Sequence, residues 1–111
     1  MPDLYEISIS SHFARTRVER CERLNAVLGG NWGKIICIAR QTNDDVWWAV
    51  TDTGLFVILD KDKKVLVTCY LATMKRVKTL YALADEHIPQ SLKKRIDKNS
   101  TRYFKLYNEY M

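Results

Sequence analysis

The chain has 111 residues, 47% hydrophobic and 28% charged, with four Gly and two Pro. That is the balance of one globular domain over 1–111, without the bias of a disordered chain or room for a second domain. No apolar run approaches the roughly 20 residues of a membrane span, and Met1-Pro2-Asp3-Leu4-Tyr5-Glu6 lacks the basic and apolar segments of a secretion signal. The net charge of +5 is unevenly spread: residues 1–73 set nine Lys/Arg against nine Asp/Glu, whereas residues 74–111 set nine against four. The whole excess lies in the last third, and such asymmetry favours a polyanionic partner.

Leu4-Tyr5-Glu6-Ile7-Ser8-Ile9-Ser10 alternates in polarity and predicts a short strand. Ser10 or Ser11 then caps a helix whose apolar stripe reads Ala14, Val18, Cys21, Asn25 and Leu28, and Gly29-Gly30 ends it. The opposite flank carries His12, Arg15, Glu19 and Arg23. Four strands follow, at Lys34–Ala39, Val46–Thr51, Leu55–Leu59 and Val65–Leu71. They are separated by the turn clusters Gln41–Asp45, Asp52-Thr53-Gly54 and Asp60–Lys64, a spacing that predicts an antiparallel meander. Trp47 and Trp48 point to opposite faces, so a sheet covered on one face would leave one of them outside.

Thr73 caps a second helix with the stripe Met74, Val77, Leu80, Tyr81 and Ala84, ending near Asp85. Ile88-Pro89 opens a third, running through Leu92 and Ile96 toward Asn99, and a last helix starts after Ser100 or Thr101 with Tyr103, Tyr107 and Tyr110 on one side. The expected fold is α+β: a mostly antiparallel four- or five-stranded sheet packed by an N-terminal helix and C-terminal helices. The sheet and first helix occupy 4–72, and the basic helical part 73–111. Cys21, Cys37 and Cys69 are odd in number, lie in apolar stretches and form no C-x-x-C pair. They read as small buried hydrophobes in a reducing compartment, so a cytoplasmic location is expected.

No metal or cofactor site is expected. Two His (His12 and His87) and scattered Cys do not make a zinc motif, and no glycine-rich phosphate loop or G-x-S-x-G elbow is present. What remains is Ser11-His12-Phe13-Ala14-Arg15-Thr16-Arg17-Val18-Glu19-Arg20. His12 and Arg15 stand one helical turn apart. A neutral-pH acid/base beside a fixed guanidinium meets the needs of RNA phosphodiester cleavage, where protons move between oxygens and the phosphorane charge must be held. A solvated Arg/Glu face with i,i+4 pairs is the plainer account of the same residues.

A strand, a helix bearing that segment, and a meander ending in Val67-Thr68-Cys69-Tyr70 together resemble the small metal-independent ribonucleases of barnase, EndoU, colicin and RelE type, which include bacterial toxins and phage nucleases. The resemblance covers roughly 5–71. It implies an endoribonuclease yielding a 2′,3′-cyclic phosphate, with His12 as acid/base, Arg15 or Arg17 as phosphate clamp, Thr68 and Tyr70 as the late-strand polar pair, and a cognate protein inhibitor as a partner. The basic residues Lys75, Arg76, Lys78, Lys93, Lys94, Arg95, Lys98 and Arg102 offer a nucleic-acid-binding surface. The interleaved tyrosines either stack bases or pack an amphipathic helix. The alternative is a non-catalytic nucleic-acid- or protein-binding module, such as a small phage or mobile-element inhibitor.

Overall fold

The computed structural model describes residues 8–9, 18–41, 45–63 and 65–107. Among these are strands β1 (Ser8–Ile9), β2 (Ile35–Gln41), β3 (Val46–Thr51), β4 (Leu55–Leu59) and β5 (Val65–Leu71). The helices are α1 (Val18–Leu28), α2 (Met74–Ala84) and α3 (Gln90–Tyr107). The sheet order is β1-β5-β4-β3-β2. Strands β2 to β5 form the antiparallel meander that their short turns require, and β1 joins β5 in parallel through Ser8↔Val65 and Ile9↔Leu66. The α+β architecture, with a mostly antiparallel sheet between an N-terminal helix and C-terminal helices, follows directly.

Two irregularities decide which side chains face which helix. In β2 the register shifts between Ile35 and Cys37, and in β5 Leu59 pairs with Leu66 while Ile58 pairs with Thr68, leaving Val67 as an extra residue. An extra residue in one strand reverses the alternation beyond it. Ile35, Leu66 and Cys69 therefore join Ala49, Leu55, Val57 and Leu59 under Leu24 of α1. Cys37, Ala39, Val50 and Phe56 face the other way, against Val77, Leu80 and Tyr81 of α2 and Leu92 and Ile96 of α3. Both faces of the sheet are covered, so Trp47 and Trp48 are each half-buried, one in either core. Trp47 also donates to the Lys61 carbonyl at 2.9 Å, and the Lys63 ammonium lies 4.5 Å from its ring.

The helices depart from the expected pattern in two places. In α1 the buried residues are Leu24 and Val27, with Cys21 and Leu28 at the margin. Asn25, expected on the apolar stripe, is exposed and accepts a hydrogen bond from the Trp32 indole N–H. The helix ends at Gly29 and Gly30, both at positive φ, with the Gly30 amide bonded to the Asn25 carbonyl at 3.0 Å. Helix α2 is capped at Thr73, whose hydroxyl accepts from the Arg76 amide, and closes on Asp85 in the left-handed region.

The second departure is that α3 runs unbroken from Gln90 to Tyr107, where two helices were expected to meet at Ser100. Two of the polar residues at that point, Asn99 and Thr101, are engaged elsewhere. The Thr101 hydroxyl donates back to the Asp97 carbonyl at 3.1 Å, as a mid-helix threonine does. Asn99, 4% exposed, donates its amide to the Thr53 carbonyl in the β3–β4 turn at 2.7 Å. Gly54, at φ 89, leaves room for that approach, since a Cβ there would stand 2.5 Å from Asn99 Nδ2. The helix thus starts on the α2 side of the sheet, crosses the end of the strands at Asn99, and brings its last turns to α1, where Arg102 donates to the Ala26 carbonyl at 3.4 Å. Asn99→Ala should destabilise the protein by about 1–3 kcal/mol in urea denaturation, because it strands a buried carbonyl. Lys94→Ala, on the exposed side of the same helix, should change stability by no more than about 0.5 kcal/mol.

A candidate anion-binding cleft beside β5

Where α1, β5 and the last turns of α3 meet there is a cleft of about 630 Å³ lined by Arg20, Arg23, Leu24, Tyr70, Leu71 and Tyr103. Arg20 and Arg23 are three residues apart on α1 and therefore share a flank. Arg20 Nη1 donates to Thr68 Oγ1 at 3.3 Å, and Arg23 Nη1 donates to the Tyr103 hydroxyl at 3.3 Å. The Arg23 guanidinium also lies 5.1 Å from the Tyr107 ring centre, and that ring meets Tyr103 at 5.1 Å. Arg76, at the start of α2, donates to the Tyr70 hydroxyl while its guanidinium covers the Tyr70 ring at 4.5 Å. The other face of Tyr70 is stacked on Phe56, with ring centres 5.6 Å apart and planes at 8°.

The partners of these arginines matter more than their number. Thr68, Tyr70 and Tyr103 are neutral hydroxyls, no described residue lining the cleft is acidic, and no described carboxylate pairs with Arg20 or Arg76. A guanidinium held by a phenol is oriented without being neutralised. Each such hydroxyl spends a lone pair on the arginine and can still donate its own proton. The apolar floor of Leu24 and Leu71 lowers the local dielectric and strengthens attraction for an incoming anion. Cation–π contact adds about 0.5–1 kcal/mol to each exposed pair, enough to bias a long side chain toward one rotamer.

Of the residues singled out in the sequence, His12, Arg15 and Arg17 lie outside the described residues. Thr68 and Tyr70 are half-buried, do share one face of β5, and each holds an arginine. Arg76 is brought to the cleft wall through Tyr70, whereas Lys75 and Lys78 are exposed on α2 and do not line it. Lys93, Lys94, Arg95, Lys98 and Arg102 are exposed along α3. The tyrosines of α3 pack against α1 and its arginine. Arg20 and Arg23 were missed as site residues because they belong to the first two thirds of the chain, whose charges balance; their i,i+3 spacing was the available signal.

Comparison with known proteins finds no matching family model, no similar curated protein and no matching solved structure. The cleft must be interpreted from its own chemistry. No helix among the described residues is long and apolar enough to cross a membrane.

All three cysteines are free thiols, and none is activated by its surroundings. Burial pushes the Cys69 thiol up to about 12, with nearby Cys21 adding to the effect. Burial, then the hydrogen bond to Glu86, does the same for Cys37. Cys21 is also raised by burial, although Arg20 opposes the shift. Tyr81 is pushed up to about 12 by burial, with Cys37 and Glu86 contributing. Between the ordinary thiol value of 9.0 and about 12 the folded state holds protons that the unfolded chain has released. The stability these thiols contribute is therefore complete below pH 9.0 and is lost as pH rises toward 12. Urea midpoints measured across that range should fall with pH, and Cys37→Ala with Cys69→Ala should flatten the fall. At neutral pH an alkylating agent should label Cys21 first and reach Cys37 and Cys69 only on unfolding, when three labelled sites appear.

Proposed function

We propose that the cleft is a phosphate-binding site for RNA and that the exposed basic side of α3 extends it. The observation that supports this most strongly is the gathering of Arg20, Arg23 and Arg76 around neutral hydroxyls in a cleft with no acidic residue among its described lining. Arginine forks match phosphate oxygens in pairs, and a site left electropositive in the folded protein gains most from an anion. Helix α3 spans 18 residues, about 27 Å at 1.5 Å per residue. Lys94, Lys98, Arg102 and Lys105 lie along its exposed side. A phosphate backbone can follow that line while one phosphate enters the cleft.

A second reading goes further, to a metal-independent endoribonuclease of toxin or phage type. It is favoured by the placement of Thr68 and Tyr70, the strand pair implied by the resemblance, beside arginines. In this reading His12 takes the proton from a 2′-hydroxyl and supplies one to the leaving oxygen. The 2′-oxygen bonds to phosphorus as the P–O5′ bond breaks, leaving a 2′,3′-cyclic phosphate and a 5′-hydroxyl. Arg15 or Arg17, with Arg20, would hold the phosphorane charge. Such an effector would act in the cytoplasm and have a cognate protein inhibitor. No metal or cofactor enters either reading.

Binding to a mixed RNA pool, measured by anisotropy, should weaken steeply with salt, with a log–log slope of several units for several phosphate contacts. Arg20→Ala combined with Arg23→Ala should reduce affinity at least about tenfold, as expected when charge-assisted hydrogen bonds are lost. Affinity independent of salt, or unchanged in that double variant, would remove the RNA reading. Cleavage is decided separately. The catalytic reading expects cyclic-phosphate products in the presence of EDTA and a loss of about 10²–10⁴-fold in rate for His12→Ala. RNA that is bound but never cut would leave a binding module.

A further inference from the structure

We propose that the cleft selects a terminal phosphomonoester of RNA over an internal phosphodiester, an inference that rests on reading the cleft as an RNA phosphate site. An internal diester carries one negative charge and two free oxygens. A monoester carries about −1.5 to −2 charges at pH 7, because its second pKa is about 6, and it presents three strong acceptor oxygens. The cleft is built on the scale of the second group. Arg20 and Arg23 line it side by side, Arg76 adjoins it through Tyr70, and among the described residues no lining carboxylate stands opposite Arg20 or Arg76. The hydroxyls of Thr68, Tyr70 and Tyr103 each accept from an arginine and retain a proton to donate.

The aromatic rings point the same way. A groove for the interior of a strand offers ring faces on which successive bases stack. Here the Tyr70 ring is enclosed between Phe56 at 5.6 Å and the Arg76 guanidinium at 4.5 Å. Tyr107 carries Arg23 at 5.1 Å, and Tyr103 leans on Tyr107. These rings orient guanidiniums and leave little face for a base, so the cleft recognises the charge and oxygen count of a phosphate. The strand behind that phosphate is left to the lysines and arginines of α3.

The test uses short single-stranded RNAs labelled at one end and carrying either a phosphate or a hydroxyl at the other, in both polarities. Near pH 7.5 the preferred phosphate end should bind about tenfold more tightly than its hydroxyl counterpart, about 1.4 kcal/mol. The polarity showing this advantage identifies a 5′ or a 3′ end. Toward about pH 5, where the monoester loses its second charge, the advantage should shrink, while hydroxyl-ended RNA should bind almost equally at both values. Arg20→Gln should erase the advantage. Lys94→Gln with Lys98→Gln should weaken both RNAs alike and leave their ratio unchanged. Should Arg20→Gln fail to fold, the pH dependence of the wild-type protein decides by itself. Equal affinity for phosphate and hydroxyl ends in both polarities overturns the selectivity and leaves the RNA reading intact. Failure of every RNA to bind overturns both.

Discussion

The amide of Asn99, buried at the end of the sheet, donates to the Thr53 carbonyl at 2.7 Å, and Gly54 is the small residue that lets the helix come so close. This contact fixes where α3 crosses from one side of the sheet to the other. One turn further on, Tyr103 lies on the same helical face and accepts from Arg23. Without the Asn99 anchor the last turns of α3 would be held to α1 only by the side-chain contacts of Arg23 and Arg102, and the cleft wall would be less firmly placed. A polar residue on the buried stripe of a helix would ordinarily be a cost. Here its partner is a turn carbonyl that would otherwise be buried without a donor, so the same bond satisfies the loop and positions the helix.

The electrostatic design separates two tasks. The exposed basic residues of α3 supply long-range attraction, screened over about 8 Å at physiological salt. Arg20 and Arg76 act at short range and are held by the uncharged hydroxyls of Thr68 and Tyr70. Had Thr68 and Tyr70 been carboxylates, these two guanidiniums would form internal ion pairs and an external phosphate would have to compete for them. Holding a cation with a neutral hydroxyl costs some folding stability, and it leaves the charge available to a ligand.

Much of the architecture was legible because the strands are short, apolar and bounded by Asp-Thr-Gly and Asp-Lys turn clusters, and because Thr73, Asp85 and Gly29-Gly30 mark helix ends. Other features depended on contacts distant in sequence. The extra residue at Val67 reverses the alternation of β5, so Leu66 and Cys69 share a core that a simple period of two would not assign to both. Asn99 and Ser100 look like a helix break until the Thr53 carbonyl, 46 residues away, is seen to occupy the Asn99 side chain. Of the candidate site, the Thr68–Tyr70 pair and Arg76 could be named from sequence. Arg20 and Arg23 had only their i,i+3 spacing to mark them, since nothing local shows that Tyr103, 80 residues beyond Arg23, will stand beside it.

The central claim is that phosphate is held where α1, β5 and α3 converge, and guanidinium side-chain NMR signals report on it directly. On titration with a short RNA, the Nε–Hε signals of Arg20 and Arg23 should shift and become protected from exchange. The signals of Tyr70 and Tyr103 should move with them, at lower occupancy than the lysines of α3 require. If the α3 lysines respond while Arg20 and Arg23 stay unperturbed at saturation, the RNA lies on the helix surface and the cleft is not its phosphate site.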